Sequence, residues 1–347
     1  MGHRRTYYAL LSGEHPRLAL EELKAILDVE ARSYRLLLTL DGLAVFEAEG
    51  LDPRVPAARG GLVRESGVLL AVTEARLGCV RRASEEAAAM LPSPGPWRVE
   101  ARVYGPYAHG LGRSEVLRAA LEGFEAGGAL LSPRAGRALR VFVTEGVAVL
   151  GVVGGVSDTR GFLERSPGRR PFFKPGPLSP HISRAMVNLS RLGVGGVYAD
   201  PFCGTGGFAI EACLLGASRV LCGDVDWVMA WGSTLNLSEY CPGGRWASAV
   251  WNAARLPLAP GSVDSIATDP PYGRSTSTRR VGYRRLVREF LKAAREAVRS
   301  GGYIVYAGPA ERDPRGLALE AGLEVESYLE MYVHGSLTRG VVVARAW

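Results

Sequence analysis

Lysine is almost missing from this sequence: of 42 basic residues only Lys24, Lys174 and Lys292 are lysine, and the rest are arginine. Arginine grips phosphate and carboxylate bidentately, yet a skew this uniform marks no single surface. Cysteine is scarce and odd in number, with Cys79, Cys203, Cys213, Cys222 and Cys241 and no C-x-x-C pair. That pattern argues against a disulfide framework and a zinc site, and for a reducing cytoplasm. No apolar run approaches the roughly 18 residues of a membrane-spanning helix. Residues 7–11 are too short for the apolar core of a secretory signal. The expectation is a cytoplasmic, metal-free chain that does not meet the membrane.

What is present suggests at least two globular domains. The chain has 347 residues, 47% of them apolar and 22% charged, enough to bury full cores. Its net charge of +7 permits a polyanionic partner without requiring one. Residues 6–50 read strand, helix, strand, strand, with Asp41-Gly42 as a hairpin signal. Residues 66–152 continue as mixed α/β, with strands near 68–72, 97–103 and 141–152 and helices near 84–90 and 114–124. This half carries no P-loop, clustered histidine or paired carboxylates in a glycine turn, and reads as a binding module. Between residues 157 and 180 the composition shifts to proline, glycine and arginine, the mark of a linker or long loop. Arg165, Arg169, Arg170 and Lys174 there could meet phosphate or close a pocket. Ser179 is positioned to cap a helix that has Pro180 at its first turn.

From residue 195 strand and helix alternate, the signature of a doubly wound parallel sheet. Strands are expected at 197–200, 219–224, 247–250, 263–268 and 303–307. Helices are expected at 208–215, 227–237 and 283–298, before a terminal antiparallel hairpin over 323–333 and 340–344.

Two motifs carry chemistry. The first is Asp200-Pro201-Phe202-Cys203-Gly204-Thr205-Gly206-Gly207, where glycines between strand and helix let the backbone approach a ligand. Gly204, Gly206 and Ala209 also satisfy the literal dinucleotide fingerprint, with Asp224 at the end of the next strand. Asp200 separates the readings. Its charge repels a pyrophosphate and attracts the ammonium of S-adenosylmethionine. Asp224 is the candidate for ribose hydroxyls, with Asp226 its rival, and Asn252 for the adenine edge, with a plain capping role as the alternative.

The second motif is Asp269-Pro270-Pro271-Tyr272-Gly273 after an apolar strand. Neither proline can donate a ladder hydrogen bond, so the sheet stops and a stiff backbone follows. A carboxylate and a carbonyl before an aromatic ring can hold the N–H groups of a flat exocyclic amine and stack its base. Such an amine is a poor nucleophile, so positioning supplies much of any acceleration.

Together these motifs resemble the class I amino-group methyltransferases over roughly residues 176–347. Residues 171–190 are similar to the segment that joins a THUMP RNA-binding domain to such a catalytic domain. The layout of nearly the whole chain resembles the archaeal tRNA guanosine-10 N2-methyltransferases. The resemblance implies a ferredoxin-like segment at 1–50, a THUMP domain at 51–156 and a linker at 157–178. A Rossmann-like class I methyltransferase domain at 179–347 follows, with a seven-stranded sheet ending in an antiparallel hairpin.

It further implies S-adenosylmethionine as cofactor and tRNA as partner, with methylation of guanosine N2, at G10, to m2G or m2,2G. Asp200, Phe202, Gly204 and Gly206 would line the methionine side and Asp224 the ribose. Asn252 and Ala253 would border adenine, with Phe173 and His181 at the pocket's edge. Asp269, Pro270 and Tyr272 would hold the guanine, and Pro271, Gly273 and Arg274 would add substrate contacts. Asn252 departs from the family, in which an acidic residue is commoner.

Competing readings are methylation of another guanosine such as G6, a nicotinamide-dependent oxidoreductase, and an RNA-binding protein with a vestigial catalytic domain. No long exposed apolar helix pattern suggests an interface, so the expected state is a monomer.

Overall fold

The computed structural model describes residues 4–92, 95–104, 110–272, 282–335 and 337–347. The chain divides into two units. The first comprises Met1–Leu23, Glu30–Ala58 and Val63–Ser157, and the second Lys24–Val29, Arg59–Leu62 and Asp158–Trp347.

In chain order the first elements are β1 (Arg4–Leu11), α1 (Pro16–Glu30), β2 (Ser33–Leu40), β3 (Leu43–Glu49) and α2 (Val55–Arg59). There follow β4 (Val63–Glu74), α3 (Leu77–Ala88), β5 (Arg98–Val103), α4 (Arg113–Ala126), β6 (Ala138–Thr144) and β7 (Val147–Val156). The seven strands form one sheet in the order β2-β3-β1-β4-β7-β6-β5. The Asp41-Gly42 hairpin forms as its residues predict, with Gly42 at φ +71°.

Two expectations fail locally. The strand expected at 141–152 is two strands, β6 and β7, because Glu145 and Gly146 take φ of +47° and +76° and turn the chain back. The helix expected at 84–90 begins at Leu77, with Val80, Ala83, Ser84 and Ala87 as its buried stripe. Inside this sheet Glu65 is buried and paired with Arg140, whose Nε donates to it at 2.9 Å. The Tyr8 hydroxyl donates to the same carboxylate at 2.9 Å. A buried carboxylate so partnered escapes the cost of an unmatched charge.

The second unit begins with a segment that is more ordered than its composition suggests. It holds α5 (Thr159–Glu164), where Asp158 accepts from the Gly161 N–H, and a single 3-10 turn at Pro167–Arg169. Arg165 and Arg170 do not reach outward. Arg165 and Arg184 both bind Glu211, which has no exposed surface, with Nε–O distances of 2.9 and 2.8 Å. Arg170 is buried, its Nε donating to the Arg165 carbonyl at 2.9 Å.

The remaining elements are α6 (Pro180–Leu189), β8 (Val197–Asp200), α7 (Gly207–Leu214), β9 (Arg219–Asp224), α8 (Trp227–Tyr240), β10 (Trp246–Val250) and β11 (Val263–Thr268). After them come α9 (Tyr283–Ala297), β12 (Val298–Pro309), α10 (Pro314–Glu320), β13 (Glu324–His334) and β14 (Leu337–Arg345). Ser179 does precede α6, but its hydroxyl lies 3.3 Å from His181 Nε2 instead of capping a backbone N–H.

The second sheet runs β10-β9-β8-β11-β12-β14-β13. Its first five strands are parallel, and β14 inserts antiparallel between β12 and β13. Strand order reverses at β8, which sends β9 to one side and β11 to the other. Crevices outside the carboxyl ends of strands at such a switch are where open α/β sheets bind ligands. Helix α9 shows why the layers form: Tyr283, Val287, Phe290, Leu291 and Ala294 recur at helical spacing and bury one face. Phe290 packs edge-on against both Phe202 and Tyr306. Among the described residues, no helix is long and apolar enough to cross a membrane.

The cysteines overturn their sequence reading. Cys203 pairs with Cys222 and Cys213 with Cys241, leaving Cys79 free. Spacing along the chain hides this, because β8 and β9 are neighbours only in the sheet. That adjacency brings the turn after β8 against Cys222. The two loops closed have sequence separations of 19 and 28, for which chain entropy gives about 3 kcal/mol of stabilisation each. Alkylation of the native protein without reductant should label one cysteine, and after reduction five, with a lower Tm for the reduced chain. Five labels without reduction would contradict the pairing.

Candidate active site

Three parallel strands deliver carboxylates to one end of the second sheet. Asp200 ends β8, Asp224 ends β9, and Asp269 follows Thr268 at the end of β11. The glycine turn leaves β8 with Gly204 at φ +53° and Gly206 at φ +82°, conformations that favour glycine. At Gly206 a Cβ would also come within 3.3 Å of Ser233.

Asp200 has no exposed surface. Its Oδ1 accepts from Thr268 Oγ1 at 2.6 Å and from the Phe202 N–H at 3.3 Å. Its Oδ2 is buried without a hydrogen-bond partner. Burial pushes this carboxyl up to about 7; the bonds from Thr268 and Phe202 oppose that, and Asp224 and Asp269 add to it.

Asp224 is locked by its own backbone surroundings. Oδ2 accepts from the Gly204 N–H at 3.0 Å and Oδ1 from the Asp226 N–H at 2.9 Å. Burial raises its pKa, against those bonds. Asp226, its sequence rival, caps α8 by accepting from the Val228 N–H at 2.9 Å.

At Asp269 burial again raises the carboxyl, while the Arg339 charge and a bond from Tyr272 lower it. The Tyr272 hydroxyl donates to Asp269 Oδ1 at 2.5 Å and accepts from Arg339 Nε at 2.9 Å. Pro270 is buried, and Pro271 and Tyr272 are half-buried.

The other sequence candidates scatter more. Phe202 is fixed by Phe290 at a ring distance of 5.1 Å. Asn252 is exposed, and its Oδ1 accepts from the Ala254 N–H at 3.0 Å, a local turn, while Ala253 is buried. Phe173 is 49% exposed; its neighbour Phe172 is the anchored ring, held by Asn236 through its N–H and carbonyl. His181 meets Ser179 and the edge of Phe162. Gly273 and Arg274 lie outside the described residues.

Sequence reasoning missed Thr268, Arg339 and Trp251. Trp251 donates from Nε1 to the Pro201 carbonyl at 3.2 Å and lies flush on β9, where a Cβ at Gly223 would come within 1.8 Å of its ring. Each acts across strands, so no local pattern announces it. Thr268 alone had a hint, as a β-branched hydroxyl just before the motif carboxylate.

A seven-stranded sheet with β14 reversed, a glycine turn after its first strand and acidic residues at three adjacent strand ends defines an α/β methyltransferase domain. The chain belongs to the UPF0020 family, described as an RMKL-like methyltransferase domain, whose model matches residues 167–340. It is 35% identical over 215 residues to the tRNA (guanine(10)-N2)-dimethyltransferase of Methanocaldococcus jannaschii, covering 59% of this chain and 56% of that one. To the enzyme of the same name from Methanothermobacter thermautotrophicus it is 41% identical over 182 residues, covering 52% and 53%. The chain thus spans about half the length of these curated relatives. Among solved structures, TrmN from Thermus thermophilus shares the fold, with a TM-score of 0.53 and 24% identity over 99% of this chain and 100% of that one.

The Asp200 environment predicts a pH signature. Its folded pKa of about 7 lies above the ordinary 3.8, so between these values the folded chain holds a proton that the unfolded chain releases. Stability from this group is therefore greatest at low pH and falls as pH rises through about 7. Denaturant unfolding of the ligand-free protein should show Asp200→Asn gaining about 3 kcal/mol on the wild type between pH 5 and pH 8. A constant difference would show that Asp200 ionises normally.

Proposed function

We propose that the chain is an S-adenosylmethionine-dependent methyltransferase that acts on the exocyclic N2 of guanosine in tRNA, at position 10, giving the mono- and dimethylated base. The observation that carries this reading is the convergence of Asp200, Asp224 and Asp269 on adjacent strand ends, with one oxygen of Asp200 buried and unpartnered. Such a donor set suits a cationic ligand and opposes a pyrophosphate, which argues against the nicotinamide alternative. The names of the curated relatives support tRNA and position 10.

In this reading Asp200 Oδ2 receives the ligand's ammonium, which relieves its missing hydrogen bond. Asp224, held by two backbone N–H groups, keeps its remaining lone pairs for the ribose hydroxyls. When bound, S-adenosylmethionine supplies a methyl group on a cationic sulfur. Asp269 and the Pro270 carbonyl accept the amine's N–H groups, and Tyr272 stacks on the base. The methyl group would pass to the nitrogen as its bond to sulfur breaks, leaving a neutral thioether, and the proton shed by the nitrogen would go to Asp269 and from there to solvent. The first unit would hold the tRNA, a reading supported by its layout and the chain's +7 charge.

The test is methyl transfer from labelled S-adenosylmethionine to an unmodified tRNA transcript, with the modified nucleotide mapped by nuclease digestion and mass spectrometry. Methylguanosine at position 10 is expected. Asp269→Asn should lower kcat about 100-fold or more while S-adenosylhomocysteine still binds. Label at another guanosine would move the target, and no transfer to tRNA would contradict the reading.

A further inference from the structure

Arg339 stands on β14, 67 residues beyond Tyr272, opposite Pro309 of β12 and Met331 of β13. Its side chain is 12% exposed and that of Asp269 18%. Its Nε donates to Tyr272 Oη at 2.9 Å, and its Nη2 lies 3.9 Å from Asp269 Oδ2. The guanidinium is also 5.6 Å from the centre of the Tyr272 ring. A phenol carries one proton. With Arg339 donating to the oxygen, that proton is directed onto Asp269 Oδ1, as observed. One guanidinium thus touches both members of the pair, through two nitrogens of a rigid fork.

We propose that Arg339 is a positioning residue of the methyl-transfer site, holding the Asp269–Tyr272 pair in the geometry that accepts an exocyclic amine. This rests on the proposed function and adds to it a residue from the terminal hairpin. The Tyr272 hydroxyl occupies Asp269 Oδ1 until an amine N–H takes that place, and the bond from Arg339 keeps the displaced phenol and its ring in register. Lysine cannot do the same, since its single nitrogen cannot serve the phenol from Nε while facing the carboxylate from Nη2.

A pH readout separates this role from plain structural support. Among the described residues, the titratable and charged groups coupled to the Asp269 carboxyl are Asp200 from β8, Tyr272 on its own loop, Tyr283 from α9 and Arg339 from β14. Arg339 is the cation among them, and it opposes the rise that burial causes. Activity needs Asp269 ionised, so removing that cation moves the acid limb of the kcat profile to higher pH.

The experiment measures kcat against pH on tRNA for wild type, Arg339→Gln and Arg339→Lys, with S-adenosylhomocysteine affinity by calorimetry. Arg339→Gln should lose about 10- to 100-fold in kcat with its acid limb moved to higher pH, while affinity stays within about twofold. Arg339→Lys should keep the limb near wild type and lose about tenfold in kcat. An unshifted limb in Arg339→Gln, or a kcat loss matched by weakened cofactor binding, would overturn the proposal. If Arg339→Gln does not fold, wild-type kcat in Arg339→Lys would do the same. A wild-type protein that transfers no methyl to tRNA contradicts the proposed function itself, so the two failures are distinguishable.

Discussion

A carboxylate with no exposed surface and one unpartnered oxygen is the constraint around which the second unit is organised. Asp200 sits at the end of the central strand β8, where desolvation favours its neutral form and its neighbours Asp224 and Asp269 add to that pressure. Nothing in apolar packing calls for three acids at adjacent strand ends. A sheet optimised for stability alone would put apolar groups there, since leaving a buried polar atom unpaired costs about 1–3 kcal/mol. In the proposed reading the three acids form a cradle for positive charge.

The surroundings are built to hold that cradle still. Thr268 reaches across from β11 to Asp200, and the Gly204 N–H comes back to Asp224, so the turn and both neighbouring strands are tied through the acids themselves. Behind the turn, Glu211 on α7 is neutralised by Arg165 and Arg184, which fixes the helix that the glycines lead into. Cys203 is bonded to Cys222, adding a covalent link between the turn and β9. Removing one partner of such a buried ion group exposes an unmatched charge, so these contacts secure geometry even where their net stabilisation is small.

Much of this was legible in the sequence where the signal is local. Alternating strand and helix, the turn Gly204–Gly207 and the stiff Asp269-Pro270-Pro271-Tyr272 run each declare themselves within a few residues. The preference for Asp224 over Asp226 rests on the end of an apolar run, and in the structure Asp226 caps α8. What stayed hidden joins residues far apart in sequence. Arg339, the Arg165–Glu211–Arg184 group and both cysteine pairs depend on strand order and helix docking, which composition and periodicity do not encode. The cysteine count misled for that reason. The break between β6 and β7 was missed because Glu145 adopts a positive φ that glutamate rarely takes.

The most direct test of the cradle is calorimetric titration of the ligand-free protein near pH 7 with S-adenosylhomocysteine and separately with NADH, in buffers of different ionisation enthalpy. The account predicts that S-adenosylhomocysteine binds with proton release, because its ammonium drives Asp200 to ionise, and that NADH does not bind. Binding of NADH in preference, or S-adenosylhomocysteine binding with no proton release, would contradict it.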